Sequence, residues 1–181
     1  MWGVTAAAAL AVLLSASPRL AAQGISFSQH GSVSQRVGFT DISIEYNRPV
    51  ARGRTLFGEH GVVKWGEVWH PGADSATTVT LSGDVLVEGH ALPAGTYTLW
   101  TIPRAAPEAW TIIFSRASHV FHFPYPGAEQ DALRVEATPE TGSHMDALAY
   151  YFPVVAADST ILRLHWGETV VPIHIRTTRE P

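Results

Sequence analysis

The sequence predicts an all-β protein: a single-domain antiparallel β-sandwich of nine or ten strands behind a cleavable signal peptide. Three observations carry that reading. Apolar residues recur with a period of two, the mark of strands that bury one face, and helical periodicity is nearly absent. β-Branched and aromatic residues are dense throughout. Turn-forming residues recur roughly every 8–12 positions, as they do in sandwiches and barrels.

The first element is the segment 1–22, "MWGVTAAAALAVLLSASPRLAA". Its apolar run, Val4 to Ala16, is too short to cross a bilayer comfortably. Ser17 and Pro18 follow it, then the small residues Ala21 and Ala22. This is the layout of a secretory signal, cleaved after Ala22, and it makes 23–181 one exported domain, periplasmic or extracellular. The chain has no cysteine, so disulfides, thiol chemistry and a lipid-modified cysteine are excluded. Stability must come from a core, and a domain of this length buries roughly 70% of its unfolded surface. No later segment is apolar enough for a membrane span, and the mixed charge, net −4, argues against nucleic acid or an anionic membrane as partner.

Strands are expected at about 25–37, 40–47, 62–70, 77–82, 84–88, 96–102, 109–115, 131–138 and 146–154, with 159–176 as a hairpin. In "TDISIEY" Ile42, Ile44 and Tyr46 share one face and Asp41, Ser43 and Glu45 the other. In "AWTIIFS" Trp110, Ile112 and Phe114 face one way. "DALRVEA" alternates Leu133 and Val135 with Arg134 and Glu136. "DVLVEGHALPAGTYTLW" reads as a hairpin turning at Glu88-Gly89-His90, then a second turn at Pro93-Ala94-Gly95. At the C-terminus a two-residue turn at Gly167-Glu168 would pair Leu164 with Val171 and Leu162 with Ile173, segregating apolar from charged residues. Pro172 then argues for an edge position, since it cannot donate to a ladder.

Chemistry concentrates in "EYNRPVARGRTLFG", where Arg48, Arg52 and Arg54 fall on a loop at the end of a strand. Two readings compete. Arg48 and Arg54 pair with Asp74, Glu59 or Glu67 and staple the loop, or the arginines present guanidinium forks to a carboxylate, phosphate or sulfate. The turn "WHPGADSATT" adds Trp69, His70 and Asp74. His, Asp and Ser lie close in sequence there, but no nucleophile-elbow pattern accompanies them. The nine histidines show no metal-binding spacing, and scattered exposed imidazoles are expected; neither metal nor cofactor is expected. Trp110, Trp166 and Tyr97 read as core. "HVFHFPYPGAEQD" reads as a loop covering the end of the core, or else as an aromatic platform for sugar.

In order along the chain come "YNRPVARGRTLFG", "WGEVWHPGADSATTVTLSGDVLVEG", "LPAGTYTLWTIP", "WTIIFSR" and "LRLHWGETVVPI". With these segments the chain resembles the bacterial exported DUF2911 domains over about residues 28–176. The family pattern runs Y-x-R-P-x-x-x-G-R, then W-R-x-G-A-N-x-x-T, then P-A-G-x-Y-x-L-x-x-x-P, then a C-terminal Trp. Two positions depart from it: His70 stands for Arg and Asp74 for Asn. If that Arg–Asn pair forms a site, this chain carries a titratable version or has lost the function. The resemblance implies boundaries and no activity.

The expected role is non-catalytic: a small polar or anionic ligand, a glycan or an envelope partner bound beside Arg48, Arg52, Arg54, Trp69, His70 and Asp74. The alternatives are a hydrolase in which His70 and Asp74 act as acid and base with an arginine holding the substrate, and a structural envelope module.

Overall fold

The computed structural model describes residues 28–178; the signal peptide read at 1–22 lies outside them. Among the described residues ten strands form: β1 (Gln29–Val37), β2 (Thr40–Arg48), β3 (Thr78–Leu81), β4 (Val85–Val87), β5 (His90–Leu92), β6 (Gly95–Ile102), β7 (Trp110–Ser115), β8 (Asp131–Ala137), β9 (Glu140–Val155) and β10 (Ser159–Thr177). One 3-10 turn, Ala128–Gln130, leads into β8. The strands make two antiparallel sheets, six strands in the order β1-β2-β3-β6-β7-β8 and four in the order β5-β4-β10-β9. β3 ends in the first sheet, β4 and β5 pair in the second, and β6 returns to the first. The sheets therefore face each other over one core.

The alternation read from the sequence builds that core. Ile42 and Ile44 of β2, Leu99 of β6 and Ile112 and Phe114 of β7 point inward from the larger sheet. They meet Leu148 and Tyr150 of β9 and Leu162, Leu164, Val171 and Ile173 of β10, all buried. Each such side chain contributes roughly 1.5–3 kcal/mol of burial free energy. Trp110, Trp166 and Tyr97 are buried as expected.

Four expectations change. First, 159–176 is not a hairpin. It is one 19-residue strand whose partners are β9 on one side and β4 on the other. The residues chosen as inward are inward, but Leu162 and Ile173 are not opposite one another. Register shifts at His165/Gly167 and Gly167/Thr169 switch the buried parity from even (Leu162, Leu164, Trp166) to odd (Val171, Ile173, Ile175). A glycine that reads as a turn is here a bulge residue with φ 62. A Cβ on it would sit 2.7 Å from Leu56 Cδ1, so the bulge is also where Leu56 docks. Pro172 is tolerated in an internal strand because it falls between the last β9 partner, at Val170, and the first β4 partner, at Ile175.

Second, 62–70 forms no strand: Trp69 bridges Thr101 of β6, and Val63 bridges Phe57, another loop residue. Third, the loop 119–126 covers the outer face of the larger sheet rather than the end of the core. Val120 and Tyr125 pack there over Ala76, Trp100 and Ile113, and Tyr125 meets Trp100 edge-on at 5.3 Å. β7 is accordingly buried on both faces. Fourth, two histidines are interior. His165 lies under β9, with Nδ1 against the Tyr151 hydroxyl (3.1 Å) and Nε2 against Ser143 O (2.9 Å). His70 is described below.

Candidate functional site

The chain after β2 leaves the larger sheet and runs along the edge of β9. The Leu148 N–H donates to Pro49 O (2.9 Å), Val50 bridges Ala147, and the Ala51 N–H donates to Asp146 O (2.7 Å). Arg52 and Gly53 then turn with left-handed backbone, φ 51 and 69. A non-glycine residue in that region costs about 1–2 kcal/mol unless its surroundings hold it. Asp146 supplies the hold: its carboxylate accepts the Arg52 main-chain N–H (3.0 Å), and its carbonyl also accepts the Trp166 indole N–H (3.1 Å). One residue thus ties the arginine loop to the indole beside it. Asp146→Ala is expected to cost about 1 kcal/mol in a urea titration. Sequence reasoning missed Asp146, because it lies 94 residues from Arg52 and carries no local signal.

The carboxylate staple expected for Arg48 and Arg54 is not what holds them. Arg48 Nε donates to Leu148 O (2.9 Å). Arg54 Nε donates to Ala51 O (3.0 Å) and its Nη2 to Val50 O (2.6 Å). Main-chain carbonyls take the place of Asp74, Glu59 and Glu67, since the loop curls back on itself and on β9. Neither Arg48 nor Arg54 makes an ion pair among the described residues.

Arg52 and Arg54 line a cleft of about 280 Å³ with Val50, Trp69, Gly72 and Trp166. Trp69 is held across the ladder from Thr101, its N–H donating to Thr101 O (2.7 Å). Its ring stacks on Trp166 at 5.9 Å and 14°. Phe57 packs against both rings and against Trp110, making the cleft floor the rim of an aromatic cluster. Arg48 is not part of this lining; its stem lies against Gly31 of β1.

His70 and Asp74 do not meet. His70 is 4% exposed, packed on Trp100 at 5.5 Å. Its Nε2 accepts the Thr77 main-chain N–H and lies 3.1 Å from the Thr77 hydroxyl. That hydroxyl donates to Pro71 O, which also accepts from the buried Tyr150 hydroxyl (2.7 Å). Gly72 permits this packing: a Cβ there would lie 2.5 Å from the Thr77 hydroxyl and 2.7 Å from His70 Cε1. Burial first, and then the nearby His122, push the His70 pKa down to about 3, so the ring is neutral. With Nε2 accepting, the proton sits on Nδ1, which has no partner. Asp74 is on the exposed side of the turn with φ 58, and its carbonyl accepts the His122 main-chain N–H (2.9 Å).

The segments that converge on the cleft are "YNRPVARGR", "WHPG" and the C-terminal Trp166, the same ones that carry the resemblance noted in the sequence. A family model for a protein of unknown function, DUF2911, matches residues 28–175. The chain belongs to the DUF2911 family. Comparison with curated proteins and with solved structures returns no match. In this DUF2911 domain, then, distant stretches of the chain build one cleft, while His70, the first departure from the family pattern, is an interior residue behind it. Among the described residues no three His, Asp or Glu side chains come together as a metal would need. No helix is long and apolar enough to cross a membrane among them either.

Proposed function

We propose that this domain is a non-catalytic binding module, exported by its N-terminal segment, and that it holds a small organic anion such as a sugar acid between the arginine loop and the Trp69–Trp166 pair. The observation that carries the reading is the state of Arg54. Two main-chain carbonyls orient its guanidinium, and no carboxylate among the described residues offsets its charge. Nε and Nη2 are engaged, so the Nη1 edge is left to donate to a ligand. A positioned cation beside indole surface suits a ligand with an anionic group on a flat or apolar body.

The hydrolase reading has less support. An acid or base must reach substrate, whereas His70 is interior, already bonded to Thr77, and absent from the cleft lining. A purely structural envelope module would be favoured by arginines neutralised within the fold, and Arg48 and Arg54 are not.

Thermal unfolding of the purified protein with acetate, phosphate, sulfate, glucuronate and galacturonate tests the proposal. At least one of these anions is expected to raise the midpoint, and Arg54→Ala is expected to abolish the rise. A midpoint indifferent to all five, or a rise that persists in Arg54→Ala, would overturn it.

A further inference from the structure

We propose a second binding site, on the solvent side of the six-stranded sheet, that takes a neutral oligosaccharide. The odd-numbered residues of β2 face away from the core, and the register places them among polar neighbours: Asn47 opposite His30, and Glu45 opposite Thr78. Ser75 and Ala76 wall one side, and the whole encloses a cleft of about 370 Å³. It shares no lining residue with the arginine cleft.

The lining has the inventory that vicinal hydroxyls need. Glu45 only accepts, Ser75 and Thr78 donate and accept, and Asn47 does both. Among the described residues the side chains of Glu45, Ser75 and Thr78 make no hydrogen bond or ion pair within the protein, while Asn47 uses one amide hydrogen on Ala73 O (3.1 Å) and keeps its carbonyl. The lining carries one carboxylate and no arginine or lysine, so it disfavours an anion and suits a neutral polyol.

An aromatic residue neighbours the lining. Phe121 forms an antiparallel bridge with Ser75, and paired residues in such a bridge project to the same side. Two further main-chain bonds, Ala76 N–H to Val120 O (3.1 Å) and His122 N–H to Asp74 O (2.9 Å), fix the segment there. The Phe121 ring is nevertheless 57% exposed, and Phe123 beside it 75%. The two rings offer apolar faces on which a sugar ring can stack. The apolar face of a pyranose, stacked on Phe121 with its hydroxyls turned into the polar cleft, would use both features at once.

Titration of the labelled protein with maltopentaose, cellopentaose, xylopentaose and N-acetylchitopentaose, followed by amide NMR, tests this. One of the four is expected to move the Glu45, Asn47, Ser75 and Thr78 signals saturably. Phe121→Ala is expected to weaken that binding tenfold or more with an unchanged unfolding midpoint, as its ring is exposed, and Glu45→Gln to weaken it as well. Arg54→Ala is expected to leave it intact. Three results would overturn the site: no saturable shift with any of the four, binding indifferent to both Phe121→Ala and Glu45→Gln, or loss of binding in Arg54→Ala, which would move the sugar to the other cleft.

Discussion

Gly167→Ala is expected to destabilise the protein by about 3 kcal/mol, two separate costs adding at one atom. The backbone at Gly167 has φ 62, and a residue with a Cβ gives up about 1–2 kcal/mol in that region. The new methyl would also lie 2.7 Å from Leu56 Cδ1, and Leu56 is buried, so relief requires movement of packed neighbours, at about 1–3 kcal/mol. The two costs can be separated. Leu56→Ala in the Gly167→Ala background should cost less than in the native background, because truncating Leu56 removes the collision. Denaturant titration of the four proteins gives the coupling. A Gly167→Ala protein as stable as the parent would refute the bulge geometry. Equal cost of Leu56→Ala in both backgrounds would refute the contact, and is what a glycine at an exposed hairpin tip would show. Trp166 is the adjacent residue and lines the arginine cleft, so the same substitution should also weaken any anion bound there.

Acidification is expected to remove on the order of 3 kcal/mol of stability through His70 alone between about pH 7 and about pH 4. The folded-state pKa is about 3, below the ordinary 6.5. The unfolded chain therefore binds the proton first, and the stabilising preference for the neutral ring is complete above pH 6.5. It is lost progressively as pH falls from there towards about 3. The geometry explains the direction: a protonated Nε2 would point a hydrogen at the Thr77 N–H it now accepts from, in a site closed by Trp100 and facing His122. His70→Gln keeps an acceptor and removes the titration. The parent should lose about 3 kcal/mol more than His70→Gln over that pH interval, with the other histidines and the carboxylates cancelling in the difference. Equal losses in both proteins would mean that His70 is not held neutral by the fold.

Most of the fold was legible because strand alternation is local. Ile42, Ile44 and Tyr46, or Leu133 and Val135, declare their face within a few residues. The misreadings came where two local devices look alike. A glycine followed by a polar residue between apolar runs describes both a tight turn and a bulge, and only the partner strand distinguishes them at Gly167. The segment 62–70 has the apolar content of a strand, but Val62 and Val68 are exposed, and Trp65 and Trp69 join an aromatic cluster instead of a ladder. The candidate cleft was half legible. Arg52, Arg54 and Trp69 do share a cleft, whereas Arg48 is turned onto β9 and His70 into the interior, and Asp146 gave no signal.

The amino-acid sequence by itself determined the all-β class, the inward residues of most strands and the family, since each depends on patterns contained in a single segment. Tertiary structure alone decided what the arginines bond to, that His70 is neutral, and that three separated segments border one cleft. Those properties depend on contacts such as Arg48 to Leu148 and Arg52 to Asp146, made across 100 and 94 residues of chain. Burial and hydrogen-bond partnership are set by which surfaces the two sheets press together, and no local pattern encodes that.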